Sequence, residues 1–396
     1  MINKIASDKN RIFRTLSFRC WCVLTVLLFS CLYQIQPSAH SETYSIQEPE
    51  CRAAIVMEAS SGDVAYALNE HEPLPPASMV KMMVILLVSE KIEQGSITWT
   101  DTVKVSANAS KMGGSQVYLK QGEEFTIQEL LEAVIIQSAN DASISLAEYI
   151  GGSAKGFVDM MNAKAASLNM KHTRFHTPHG LPPSKGQEPD MSSAYDLALL
   201  AREIVTKYPD VLKWSSTETQ EFRDGAFKMY NTNHLIRDFQ GCDGIKTGYY
   251  KEAGFCVTAT AMRNDIRIIT VVMGCEKSKQ RFREAARLLS YGFDQYVNKT
   301  IAEKNEPIDQ SIPVISGVKS ETIPVLAQAV NTIARKNDPR TIAKRITLVK
   351  ELRAPVQPGQ ECGFVTFIFD GRDIGTAPLV TNETIEELGF WGKLFN

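Results

Sequence analysis

No apolar run in the 396 residues reaches the roughly 20 that a spanning helix needs. The most continuous one, Cys20 to Tyr33, falls short. An uncleaved N-terminal anchor is the alternative to reading that run as part of an export signal. An excess of basic charge is also lacking: 43 Lys and Arg stand against 45 Asp and Glu, a formal net charge of -2. Nothing marks a nucleic-acid partner. Cysteine and histidine are few, eight and six, and scattered without the spacing of metal ligands. His176 and His179 share a loop, but with no carboxylate cluster beside them they read as structural. A composition 44% hydrophobic and 22% charged is that of a globular chain, and its length suffices for two or three domains.

What is present begins with an export signal over residues 1–41. Lys4, Lys9, Arg11, Arg14 and Arg19 form a basic region, the Cys20–Tyr33 run follows, and Ala39 and Ser41 suit cleavage before Glu42. Lipidation at Cys31, after Leu28-Phe29-Ser30, is a second reading that bulky Phe29 fits badly. Past residue 41 the charge is more acidic. Five cysteines remain there (Cys51, Cys242, Cys256, Cys275 and Cys362), so at least one is unpaired within the chain.

Three stretches carry chemistry. Pro75-Pro76-Ala77-Ser78-Met79-Val80-Lys81 opens an apolar helical run to about Gln94, with Ser78 expected as N-cap and Lys81 on its face. A serine hydroxyl needs a neighbouring base, and a lysine driven toward neutrality by burial can be one. An isolated Ser-x-x-Lys is common, and a capped helix with a surface lysine explains it equally. Ser138-Ala139-Asn140 joins a helix over Ile127–Gln137 to another reaching Ile150. It reads either as a capping turn or as a hydroxyl and an amide aimed into a cleft. Lys246-Thr247-Gly248-Tyr249 lies beside a predicted hairpin, Ala253–Met262 and Arg267–Cys275, turning at Asn264-Asp265. An ammonium and a hydroxyl there can hold a carboxylate, and a glycine lets a substrate backbone lie against the strand.

Each motif alone is short. The ordered set, at intervals of roughly sixty and one hundred residues in helix-start, helix-junction and strand contexts, is specific. The sequence resembles the low-molecular-mass penicillin-binding proteins that act as D-alanyl-D-alanine carboxypeptidases. Pro76–Met83, Gln137–Ala142, Thr177–Leu181, Asn231–Asn233 and Asp243–Gly248 all look like that family, over roughly residues 50 to 380. The middle motif departs from the family's Ser-Asp-Asn at Ala139.

The resemblance implies an α/β (α+β) penicillin-binding/β-lactamase-like domain over 42–296. It would have an antiparallel sheet with helices on both faces and a helical subdomain. Ser78 would be the nucleophile, Lys81 its base, Ser138 a proton relay and Asn140 the holder of the peptide amide. Lys246 and Thr247 would bind the terminal carboxylate beside Gly248, and the backbone N–H groups of Ser78 and Tyr249 would form the oxyanion hole. The implied substrate is a peptidoglycan stem peptide ending in D-Ala-D-Ala, β-lactam antibiotics would acylate Ser78, and no metal or organic cofactor is needed. The compartment would be the periplasm or the outer face of the cytoplasmic membrane. A class A β-lactamase would add a water-positioning glutamate. Glu188-Pro189-Asp190-Met191 superficially resembles that segment, but lies about fifty residues past Ser138 with Ser192 in place of asparagine. A wall-binding module with a silent site is the non-enzyme reading.

After Tyr296 short apolar strands replace helices: Ile312–Ile315, Ile323–Val325, Ile346–Val349, Phe364–Phe369 and Ile374–Leu379. They read as a small all-β sandwich over 297–380. A tail over 381–396 reads as a short amphipathic helix, with Ile385 to Phe395 in peripheral membrane contact.

Overall fold

The computed structural model describes residues 47–338, 341–369 and 371–389. The export signal and Cys31 lie outside the described residues, as do Phe390 to Asn396.

β1 (Ala53–Glu58) and β2 (Val64–Leu68) form a hairpin whose turn is organised by a buried carboxylate. Glu58 accepts the N–H groups of Ser60 and Ser61 at 2.9 and 2.7 Å. β3 (Cys242–Tyr250), β4 (Gly254–Arg263) and β5 (Ile266–Cys275) form a meander, and β5 returns to pair with β1. The order β2-β1-β5-β4-β3 leaves β3 on an edge. The β4–β5 turn falls at Asn264-Asp265, both at positive φ, which matches the strands' twist.

Helices cover both faces. Ile55, Met57, Ile269, Val271 and Met273 share one core with α1 (Lys81–Glu93), α2 (Ile127–Ile136), α3 (Asn140–Gly151), α4 (Ala154–Ser167) and α5 (Ala194–Lys207). The opposite face meets α6 (Ser278–Gln295), where a Cβ on Gly292 would lie 2.6 Å from Ile268. α1 is apolar all round, and every residue from Met82 to Val88 is buried. Each such side chain contributes about 1.5–3 kcal/mol of transfer free energy, so this helix is a fixed post within the fold. α2 starts in a capping box of Thr126 with Glu129. α4 is capped by Ser153, which accepts the N–H of Gly156 at 3.0 Å.

Ser78 does not cap α1. Residues Ala77–Val80 form one 3-10 turn running into the helix, its N-cap is Pro76, and no side chain caps it. A capping hydroxyl would be committed to backbone N–H groups; here it is left for Lys81.

Tyr296 starts a second body of short strands with its own core around Val356, Cys362, Val365, Phe367, Leu379 and Ile385. The expected strand Ile323–Val325 is instead two short pieces, Glu321–Thr322 and Val325–Leu326, broken at Ile323-Pro324 where proline offers no N–H. The tail also differs. Over Thr384–Gly389 the chain is not helical. Ile385 exchanges hydrogen bonds with Val356 at 2.9 and 3.0 Å, and its side chain is fully buried, so this end of the expected membrane helix is spent on the domain's own core. Remaining backbone groups are satisfied by Leu388 N–H to Ser316 and Val318 N–H to Glu386.

The two bodies meet at the β1–β2 turn. Asp63 accepts from Tyr296 Oη at 2.7 Å and from Arg335 Nε at 2.6 Å, while Arg372 donates to the Ser61 carbonyl at 3.1 Å. Asp63→Ala leaves the Tyr296 hydroxyl and the Arg335 guanidinium facing an empty contact. For this half-exposed cluster the expected cost is about 1–2 kcal/mol. Calorimetry should show an earlier, broader transition with peptidase activity at 25 °C unchanged. An unaltered melting profile would mean that Asp63 does not couple the domains.

Candidate active site

The Ser78 turn is held in an unfavourable shape by its surroundings. Ala77 sits at φ +49, a region a residue with a Cβ enters only when packing requires it. Two backbones press on it. A Cβ on Gly180 would lie 2.1 Å from the Ala77 carbonyl, and one on Gly248 would lie 2.4 Å from the Pro76 carbonyl. The loop Thr177–Leu181 and the edge strand β3 thus close around Ser78, and only glycine permits both approaches.

Lys81 lies one turn beyond Ser78 and is completely buried. Its Nζ is 3.0 Å from Ser78 Oγ and donates to the His179 carbonyl at 2.6 Å. Burial, reinforced by the Lys246 charge, pushes its pKa well below the usual lysine range against weaker opposing pulls from Asp190 and Asp141. The His179 ring is likewise kept neutral: burial first, then Lys81, lowers it to about 3. Its Nδ1 accepts the Leu181 N–H at 3.1 Å, which braces the loop.

Asp190 anchors that loop from behind. It accepts from the N–H groups of His176 and Thr177 at 2.6 and 2.9 Å and from the Thr177 hydroxyl at 2.6 Å. Burial raises its pKa despite these bonds. Glu188, by contrast, is exposed in the same loop.

Ser138 and Asn140 sit where α2 gives way to α3. Ser138 is at φ +62 and buried, and its Oγ has no partner; neither does the Asn140 Oδ1. The Asn140 amide donates to the Gly113 carbonyl at 2.7 Å and its backbone N–H to Ser115 at 2.8 Å. A buried hydroxyl and a carbonyl without partners are costly unless a ligand supplies them. Asp141, next along α3, takes the N–H groups of Val117 and Leu119 at 3.2 and 3.0 Å, fixing the wall above.

Lys246 is buried, and burial with the Arg281 charge brings its pKa down to about 7. Thr247 Oγ1 is 2.6 Å from Thr232 Oγ1, and the Asn231 amide ties that loop to the carbonyls of Ser215 and Thr217, both at 3.0 Å. The Tyr249 side chain is exposed and stacks on Phe255, so what it offers the site is its backbone.

Sequence reasoning missed four contributors. The His179 carbonyl and the Asp190 anchor belong to a loop read as structural. Arg281, on α6, donates to the Gly248 and Cys256 carbonyls at 3.1 and 3.3 Å, and its buried Nε is without a partner. It puts a third cation behind the Lys246 strand, and no local pattern marks it. Arg223, in the hairpin Thr219–Tyr230, forms an ion pair with Glu123 and donates to the Tyr118 carbonyl at 2.8 Å.

A lysine base buried against a serine, unsatisfied polar atoms at a helix junction and an edge strand backed by cations make an acyl-transfer site for a peptide with a free carboxylate. Comparison with known proteins decides the family. Residues 39–277 match the D-alanyl-D-alanine carboxypeptidase family, and residues 296–387 match the C-terminal domain of penicillin-binding protein 5. The chain belongs to the D-alanyl-D-alanine carboxypeptidase family. A carboxypeptidase of this family from Bacillus subtilis, DacF, is 36% identical over 345 residues, covering 86% of this chain and 87% of that one. The crystal structure of a peptidoglycan synthesis regulatory factor, PBP3, from Streptococcus pneumoniae superposes with a TM-score of 0.72 at 27% identity, covering 86% and 100% of the two chains. Penicillin-binding protein D2 from Listeria monocytogenes, in its ampicillin-bound form, is 30% identical with a TM-score of 0.57, over 62% of this chain and 98% of that one. The carboxypeptidase family's fold, a sheet with helices followed by an all-β domain, is the one seen here.

Arg223 grips the wall at Tyr118, between the Val117 and Leu119 N–H groups that Asp141 accepts and beyond Gly113, which Asn140 holds. Arg223→Ala is expected to lower kcat/KM on a diacyl-Lys-D-Ala-D-Ala peptide roughly tenfold, about 1.4 kcal/mol, with little change in Tm. Steady-state kinetics check this, and unchanged kinetics would mean that the clamp does not position Asn140.

Proposed function

We propose that this carboxypeptidase removes the terminal D-alanine of peptidoglycan stem pentapeptides through an acyl-enzyme on Ser78. The observation that carries the reading is the fully buried Lys81 amine 3.0 Å from Ser78 Oγ. A neutral amine has a lone pair to accept the Ser78 proton while its own N–H groups bond to the His179 carbonyl.

Ser78 Oγ attacks the carbonyl carbon of the penultimate D-alanine as its proton passes to Lys81 Nζ. Negative charge collects on the carbonyl oxygen and is met by the backbone N–H groups of Ser78 and Tyr249. Loss of one such donor typically costs about 2.7–4 kcal/mol. The C–N bond then breaks, and the Lys81 proton reaches the departing amine by way of the Ser138 hydroxyl. Asn140 takes up the substrate's amide side. Lys246 and Thr247 hold the terminal carboxylate, with Arg281 adding positive potential. Water attacks the ester carbonyl, Lys81 takes the water's proton, and Ser78 leaves with a proton restored. A β-lactam follows the same first step, but its leaving amine stays tethered and the acyl-enzyme persists. The leader-like residues 1–41 support an extracytoplasmic site for this reaction.

Purified protein should be labelled covalently by a fluorescent penicillin and release D-alanine from a diacyl-Lys-D-Ala-D-Ala peptide. Both should vanish in Ser78→Ala. Fast penicillin turnover without D-alanine release would instead assign a β-lactamase, and neither activity a silent site.

The pH profile tests the two lysines. Lys81 works neutral, so kcat/KM rises as pH climbs through its lowered pKa. Lys246 works charged, so kcat/KM falls as pH passes about 7, its value in the free enzyme. Bound carboxylate keeps Lys246 protonated, so kcat should hold to higher pH. Lys246→Arg is expected to move the alkaline limb of kcat/KM upward, and an unmoved limb would remove Lys246 from that role.

A further inference from the structure

The chemistry at Ser78 leaves five thiols unused among the described residues. Two stand apart. Cys242 Sγ faces the Gly244 carbonyl at 3.7 Å, and Cys362 Sγ faces the Leu379 carbonyl at 3.3 Å in the C-terminal core. The other three gather at one end of the central sheet.

The β1–β5 ladder pairs Ala53 with Met273, and past that pair the register slips by one residue, Arg52 N–H donating to the Met273 carbonyl at 3.0 Å. Cys51 lies two residues before Ala53, and Cys275 two residues after Met273, so the register carries both to the same end of the ladder. A disulfide spans Cα separations of roughly 4.4–6.8 Å, the reach of residues on neighbouring strands. The Cys51 thiol donates to the Ala53 carbonyl at 3.4 Å. The backbone is tight here: Gly274 is at φ +73, and a Cβ on it would lie 2.9 Å from the Arg52 side chain.

Access is also present. Cys51 is half-buried, and Cys275 borders a surface cavity of about 400 Å³ with Arg52, Tyr249 and Phe255. The third thiol, Cys256 on β4, is fully buried, and its sulfur already accepts the Gly274 N–H at 3.4 Å.

We propose that Cys51 and Cys275 form an intramolecular disulfide that ties the entry of β1 to the end of β5. The thiolate of Cys51 attacks one sulfur of an oxidised disulfide, either a small molecule or a protein, and that reagent's first thiol leaves. Cys275 then attacks the mixed disulfide at Cys51, forming the protein S–S bond and releasing the second thiol. The two protein thiols lose two protons and two electrons, and the oxidant carries both away as two thiols. Cys51 reacts first because it is the exposed partner. Cys275 is held protonated by its interaction with the Cys51 side chain and by burial. The closed loop encloses nearly the whole catalytic domain, so the bond restricts the unfolded chain strongly. This pairing stands independently of the reaction at Ser78.

The test exposes purified protein to oxidised glutathione, blocks residual thiols with iodoacetamide, digests without reductant and maps the peptides by mass spectrometry. The expected product is a linked Cys51–Cys275 peptide, with Cys242, Cys256 and Cys362 alkylated and Tm raised by several degrees over the reduced protein. Cys51→Ser should lose both the link and the oxidative Tm gain while keeping penicillin labelling, which reports an intact fold. A stable glutathione adduct on Cys51, a Cys256–Cys275 link, or alkylation of both Cys51 and Cys275 would each overturn the proposal.

Discussion

The site depends on one constraint: an amine with no access to water. Lys81 is enclosed at the start of a helix buried from Met82 to Ser89, and a lone ammonium there would forfeit its hydration without a carboxylate to replace it. The low-energy outcome is a neutral amine bonded to one carbonyl and one hydroxyl. Burial, then the Lys246 charge, lowers its pKa well below the usual lysine range. The fold is arranged to keep this pocket closed. Asp190 holds the loop that presents the His179 carbonyl, and Gly180 lets that loop lie on the Ser78 turn.

A second lysine sits close by with the opposite task. Lys246 is buried as deeply, yet it lies on the exposed edge strand of the sheet, where a substrate carboxylate can approach. Lys246 lowers the pKa of Lys81, and Arg281 lowers that of Lys246. The Arg281 and Lys246 charges thus each lower the pKa of the next basic group toward Lys81, against weaker pulls on Lys81 from Asp190 and Asp141. Proton position in the cleft therefore follows from the sequence of charges rather than from any one residue.

The wall opposite the strand is built by polar contacts. Asn140 and Asp141 bind the backbone of residues 113–119, and Arg223 fastens it from the hairpin side. These bonds leave the Ser138 hydroxyl and the Asn140 carbonyl without partners. Such groups carry a cost that a ligand offering hydrogen bonds would remove.

Much of this was legible in the chain itself. The β1–β2 and β4–β5 hairpins follow from alternation and from Ser-Gly-Asp and Asn-Asp turns, and α1 to α3 from their apolar periodicity. Ser78, Lys81, Ser138, Asn140, Lys246 and Thr247 stand out because helix starts, junctions and strands demand particular residues in fixed local order. Local order did not decide whether Ser78 caps its helix, because the hydroxyl's partner depends on how deeply Lys81 is buried. Nor did it reveal the His179 carbonyl, Arg281 or Arg223, which act from 98, 33 and 105 residues away across contacts that only folding creates. The tail shows the same division. Amphipathic spacing suggested a membrane helix, but Ile385 found a dry core beside Val356, and its backbone joined that strand. Sequence determined which groups could do the chemistry. Tertiary structure alone decided their charge states and partners, because burial and charge proximity are properties of the packed chain and not of the order of its residues.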